Sequence, residues 1–252
     1  MLTVSGCSSD EAFSTSLRLR LGLEQLPAGY TCNTHNVPID TFAHHELSCQ
    51  NFQGAVHARD DLIRDELFAV CLVLDRGCEL QQETGATSSA AISLSNMEAP
   101  KIEQRASART VPGDIAVRLT RDANARTFYD ITVVNTLTAA AEVSIGQAAN
   151  PTKRLISFLG VAHRKKIEKH GADVARVGGQ FFPLVVSTTG VWHPDSLTRL
   201  RELARYASTR QGISESESWK ALLARLGCAL AKGNELVLRA ARRQMQPGAD
   251  VK

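Results

Sequence analysis

Val111 to Thr136, VPGDIAVRLTRDANARTFYDITVVNT, is the stretch that decides the fold. Ile115, Val117 and Leu119 alternate with Asp114, Ala116 and Arg118, the period of a half-buried strand. Arg121 to Arg126 has no apolar residue longer than Ala and reads as a charged loop. A second strand resumes at Phe128-Tyr129-Asp130-Ile131-Thr132-Val133-Val134, rich in β-branched and aromatic residues. Each strand carries one acid in apolar surroundings: Asp114 after Pro112-Gly113, and Asp130 in mid-strand. Two carboxylates on adjacent strands repel, and in a partly dry site one of them is driven toward its neutral form. A hard divalent cation between them removes the conflict and can activate a water for attack on phosphorus. The competing reading makes Asp114 a turn residue and lets Asp130 face solvent.

Outward from this hairpin, the flanks alternate between helix and strand. Upstream, His57 to Asp75 places Ile63, Leu67, Val70 and Leu74 at three- and four-residue steps, predicting a helix that ends near Gly77. Cys78 to Glu83 reads as a short strand, and Glu83 is a candidate third carboxylate. Ala86 to Arg109 is Ser/Ala-rich without periodicity, which predicts a long loop insertion. Downstream, Pro151 to His170 is helical and ends in the basic run RKKIEKH, containing Lys166 and Lys169. Its basic end also suits a solvated face complementing the helix dipole. A glycine-containing connection over Gly171 to Gly179 leads to the buried strand Gln180 to Ser187. Helices follow from Pro194 to about Arg210 and from about Ser216 to Arg243, the last with a stripe of Trp219, Leu222, Leu223, Leu226, Leu230 and Leu236. The expected class is α/β, a small mixed sheet between helices.

A second informative stretch lies further upstream, Cys32 to Cys49, CNTHNVPIDTFAHHELSC. Cys32, His35, His45 and Cys49 form a Cys-x2-His, His-x3-Cys set that a tetrahedral zinc can close, with His44 as a spare. The alternative is two unrelated buried cysteines among surface histidines. Before it, Leu17 to Leu23 (LRLRLGL) alternates like a strand. The expected divisions are a weakly structured segment at 1–30, a zinc knuckle at 31–50, and a core at 51–212 with its insertion near 86–109. A C-terminal helix at 213–244 and a disordered tail at 245–252 complete them.

Bulk composition narrows the classes. Hydrophobic content of 43% and charged content of 22% are ordinary for a globular chain. A net charge of +3 permits a nucleic-acid partner without arguing for one. No apolar run approaches the roughly 18 residues of a membrane span, so no membrane partner is expected. The six cysteines follow no dense framework, and without a secretory signal they are expected as reduced thiols or metal ligands.

The αβββαβ order, with Pro-Gly-Asp on one strand and Asp-x-Thr-Val-Val on the next, is similar to the PD-(D/E)XK restriction-like nuclease core. More specifically, the chain resembles the C-terminal region of polyproteins from site-specific non-LTR (LINE-type) retrotransposons, where a Cys/His zinc knuckle precedes a restriction-like endonuclease. FAHHELSC at 42–49, HARDDLIRDEL at 57–67, PGD at 112–114, DITVVNTL at 130–137, KKIEKH at 165–170, FFPLVVSTTGVWHPD at 181–195 and RLGCALAKGNE at 225–235 carry it, over about residues 17–240. The resemblance implies an enzyme that nicks target DNA with Mg²⁺ (or Mn²⁺), so that the freed 3′ end primes reverse transcription. In that reading Asp114 and Asp130, with Glu83, hold the metal, and Lys166 or Lys169 serves catalysis. Element RNA is then a further partner and the nucleus the place of action. The chain departs from the pattern at three points. Only Cys32 opens the knuckle, where the family usually has two cysteines. Thr132 stands where a D-x-K lysine would. No Tyr-x-Asp-Asp reverse-transcriptase motif occurs, which suggests a fragment, and the alternative is a decayed nucleic-acid-binding remnant.

Overall fold

The computed structural model describes residues 10–32, 35–75, 77–80, 113–119, 126–138 and 148–245. The predicted hairpin becomes two strands of a four-stranded mixed sheet ordered β3-β4-β5-β6: Glu79–Leu80, Ile115–Val117, Thr127–Val134 and Gln180–Ser187. The first three pair antiparallel, and β5 runs parallel to β6 from Thr127↔Gln180 to Val134↔Ser187. Parallel neighbours need a crossover, and the helix Pro151–Arg176 (called α3) supplies it. Upstream lie α1 (Asp10–Arg20), the β1–β2 ladder Thr31–Cys32 with Val37–Pro38, two 3₁₀ turns at Glu46–Ser48 and Gln50–Phe52, and α2 (Gln53–Leu74). After β6 come α4 (Pro194–Gln211) and α5 (Glu215–Met245). Among the described residues, helix, three strands, helix and strand therefore come in that order from α2 to β6. The class is mixed α/β, as the sequence pattern implies.

The period-2 pattern sorts the sheet into two faces. Ile115, Val117, Tyr129, Ile131, Leu184 and Val186 point to one side, into the main core with α2, α4 and α5. Ala116 and Phe128 point to the other, against Val174 of α3. Crossover and strands meet tightly there: a Cβ on Gly179 would stand 2.5 Å from the Phe128 ring, so only glycine fits. A second core gathers Leu19, Leu26, Cys32, Ile39, Leu47, Cys49 and Phe52 onto Val237, Leu238, Ala241 and Met245 of α5.

Several boundaries differ from the sequence expectation for identifiable reasons. The Leu-Arg alternation at 17–23 suggests a strand, yet α1 is a helix. Its buried residues are Ala12, Thr15 and Leu19, at three- and four-residue steps. Thr15 Oγ1 donates to the buried Glu235 at 2.8 Å and Arg239 pairs with Glu11 at 2.7 Å, docking α1 on α5. Helix α2 starts at Gln53 and ends at Leu74, with Asp75 as its C-cap rather than Gly77. Asp75 accepts from Gly77 N–H at 2.9 Å and from Arg118 N–H at 3.1 Å, a side-chain turn that ends the helix and ties it to the end of β4. Helix α3 runs through Gly171 because His170 before it and Val174 beyond it are buried, which offsets glycine's helix cost of about 1 kcal/mol. The insertion near 86–109, Glu83 and the chain after Met245 lie outside the described residues. Cys32, Cys49, Cys71 and Cys78 are free thiols, whereas Cys228 is disulfide-bonded, against the expectation of reduced cysteines. No helix among the described residues is long and apolar enough to cross a membrane.

Candidate functional site

Asp114 enters the sheet through a glycine. Gly113 has φ +119, a conformation L side chains rarely adopt, and a Cβ there would press within 3.2 Å of the Tyr129 carbonyl. The Pro-Gly-Asp sequence thus delivers Asp114 with its N–H donating to Tyr129 O at 2.7 Å. Its Oδ2 accepts from Ile131 N–H, also at 2.7 Å. Asp114 therefore brackets Asp130, which lies one step beyond the Ile115↔Tyr129 pair and so on the same face of the sheet. The two acids do not diverge to opposite faces. Asp130 is 4% exposed, and its Oδ2 lies 2.8 Å from Lys166 Nζ, reaching down from α3.

Electrostatics follow from that placement. Burial, then the neighbouring Asp130 carboxylate, push Asp114 up to about 6, with the Ile131 N–H, Lys166 and Arg64 acting in the opposite direction. Asp60 on α2 is raised as well, mainly by burial, with Arg59, His57 and Lys166 opposing. One half-buried ammonium thus pairs with Asp130 and opposes the rise at Asp114 and at Asp60. The site can hold a proton between closely spaced carboxylates, and its oxygen-only acidic donors suit a hard cation. Lys169 is exposed. Thr132, at the D-x-K position, is two residues along β5 from Asp130, with a buried hydroxyl lacking a hydrogen-bond partner. Asp60, within HARDDLIRDEL, comes into the field of Lys166 only through the tertiary fold, which no local pattern encodes.

The Cys/His set also comes together. Tight turns with Asn36 at φ +51 and Ala43 at φ +63 fold the chain back on itself. Cys32 Sγ is 3.5 Å from His35 Nδ1 and 3.6 Å from Cys49 Sγ, and Cys49 Sγ is 3.5 Å from His35 Nδ1. The His45 ring meets His35 edge-on, centroids 5.0 Å apart, and its Nε2 is buried without a hydrogen-bond partner. One donor atom from each of the four lies within 4.8 Å of the others. A tetrahedral shell with metal–sulfur bonds near 2.3 Å and metal–nitrogen bonds near 2.0 Å has edges of about 3.3–3.8 Å, so these residues fit a metal ion. Burial pushes the Cys49 thiol up to about 11 without one. His44, the spare, instead turns to Asp40 at 3.8 Å. The group is anchored to the sheet: Asn135, just past β5, donates to His44 O at 2.6 Å and to Ser48 Oγ at 3.2 Å.

No protein-family model matches the chain, and no curated protein matches it.

Proposed function

We propose that the chain is a Mg²⁺-dependent DNA endonuclease of the restriction-like type found in site-specific non-LTR retrotransposon polyproteins. One observation carries the reading: Asp114 and Asp130 share a face of the sheet, with Lys166 Nζ 2.8 Å from Asp130. The αβββαβ element order from α2 to β6 supports it.

A Mg²⁺ or Mn²⁺ held by Asp114, Asp130 and the Ile131 carbonyl would supply Lewis acidity at the scissile phosphate. The chain's own contribution is arrangement. The Ile131 N–H fixes the Asp114 carboxylate, and packing fixes Asp130. The Lys166 ammonium is placed to orient the attacking water and offset charge on the pentacovalent phosphorus. Water oxygen bonds to phosphorus, the P–O3′ bond breaks, and the freed 3′-hydroxyl is the primer end. In this reading the Cys32/His35/His45/Cys49 group holds zinc, and the basic residues Arg154, Arg164, Lys165 and Arg176 on α3 contact phosphates. Element RNA is then a second partner and the nucleus the compartment.

Nicking of supercoiled plasmid by the purified chain tests this. Cutting that needs Mg²⁺ and disappears in both Asp114→Ala and Asp130→Ala supports it. DNA binding without cutting, unchanged by either substitution, supports the decayed binding remnant instead.

A further inference from the structure

A second cluster of metal-capable side chains lies where α3 crosses the start of α4. We propose that His163, His193 and Asp195 form an additional divalent-metal site, two imidazoles and one carboxylate, that takes a borderline cation such as zinc, cobalt or nickel and keeps positions open to water. The proposal rests neither on the nuclease reading nor on the Cys/His group.

Two separate elements build the cluster. His163 projects from the buried side of α3. His193 caps α4, and its backbone N–H donates to Val185 O at 2.9 Å, which stitches it beside β6. The two rings stack at 4.4 Å between centroids, tilted by 21°. Asp195 Oδ2 stands 3.9 Å from His163 Nε2 and 3.9 Å from His193 Nδ1. The carboxylate gaps are too long for hydrogen bonds, and His193 Nδ1 accepts instead from the Asp195 N–H at 3.3 Å, the capping bond an ion would replace. Ligands sharing one cation at about 2.0–2.2 Å sit roughly 3–3.5 Å apart. Closing the set therefore takes a few tenths of an ångström from each side, and the stacked rings tilt so that both lone pairs meet one ion. The Asp195 side chain, 70% exposed, has room to swing.

The donor chemistry suits a cation. A Cβ on Gly160 would stand in ordinary contact with His193 Nε2, at 3.5 Å. The set is also chemically distinct from the Cys/His group: nitrogen and oxygen donors without thiolate match the composition of metal sites with open positions. Arg164 lies beside His193, its Nη1 3.6 Å from the same Cβ position, and so places a positive charge next to any anion that occupies an open position.

The test is a Co²⁺ titration of the metal-free full chain, counting bound cobalt after dialysis and separately reading the thiolate-to-cobalt charge-transfer band. His163→Ala and Asp195→Asn should each lose one equivalent of bound cobalt relative to the parent chain, with the thiolate band intact. Cys49→Ser should do the reverse, losing the band and keeping the sulfur-free equivalent. Asp195 is a surface residue, so Asp195→Asn keeps the experiment decisive even if the buried His163→Ala does not fold. The proposal is overturned if Asp195→Asn binds as much cobalt as the parent, or if the cobalt it loses is the thiolate-bound equivalent.

Discussion

Lys166 Nζ and Asp130 Oδ2 meet at 2.8 Å, joining the crossover helix to the strand it crosses over. The carboxylate is almost fully buried while the lysine stem keeps partial access to solvent. Removing the ammonium therefore strands a negative charge, and losing one partner of a buried pair costs about 3 kcal/mol. Lys166→Met should lower stability by roughly that amount in urea titrations. Under the proposed function it should also abolish nicking at protein concentrations where DNA binding persists. Lys169→Met, at an exposed position, should alter stability by less than about 0.5 kcal/mol and leave cutting in place.

Asp114 has the opposite problem, a charge the metal-free fold disfavours. Its carboxyl titrates near 6 when folded against an ordinary 3.8. Between these values the folded state binds more protons than the unfolded state. The Asp114 contribution to the stability of the metal-free protein therefore falls as pH rises from about 4 to about 6 and is level above that. Asp114→Asn keeps an oxygen for the Ile131 N–H and removes the charge. At pH 7.5 it should raise the metal-free melting temperature, by an amount equivalent to about 1–3 kcal/mol. Added Mg²⁺ should stabilise the parent at pH 7.5 and do nothing for Asp114→Asn. A substitution that stabilises while it inactivates is a signature that simple core damage does not produce.

Metal removal should act on the whole chain. The Cys/His residues form one wall of the second core, whose other wall is the end of α5. Chelation with 1,10-phenanthroline, or Cys49→Ser, should lower the melting temperature and release protection of α5 amides in hydrogen exchange. The expected loss is several kcal/mol, on the scale of a structural four-ligand site. His44→Ala, outside the ligand set, should leave metal content unchanged.

Close helix packing gives a prediction independent of function. A Cβ on Gly233 of α5 would overlap Arg59 of α2, backbone included. Arg59 cannot retreat, because it is 2% exposed and its Nη1 donates to Leu47 O at 3.1 Å. Gly233→Ala should destabilise by about 1–3 kcal/mol in denaturant titration, although alanine is the better helix former. By contrast, Gly227→Ala, with open space at its Cβ, should stabilise by a few tenths of a kcal/mol up to about 1.

Local pattern made most of the sheet legible, because its faces differ in chemistry. Alternation over Ile115–Val117 and Thr127–Val134 set strand and facing together, and with them the shared side of Asp114 and Asp130. The four Cys/His ligands were readable from spacing because they lie within one short loop. What escaped was whatever depends on helices meeting. The alternation in α1 concealed a helical stripe that only its docking on Glu235 exposes. Asp60 enters the field of Lys166 only through the tertiary fold, and His163 of α3 meets His193 at the start of α4. None of these pairs is close in sequence.

The second core has a consequence for synthesis. Cys32 and Cys49 share a core with Val237, Leu238, Ala241 and Met245, so the earlier-made half of that core waits during synthesis for a helix made much later. Until α5 emerges, a nascent chain carries two thiols and an unfinished apolar surface open to oxidation and to chaperones. Early capture of an ion would protect both sulfurs during that interval. The abundance of the mature protein should therefore depend on cellular metal supply at the moment of translation, and only weakly on supply afterwards.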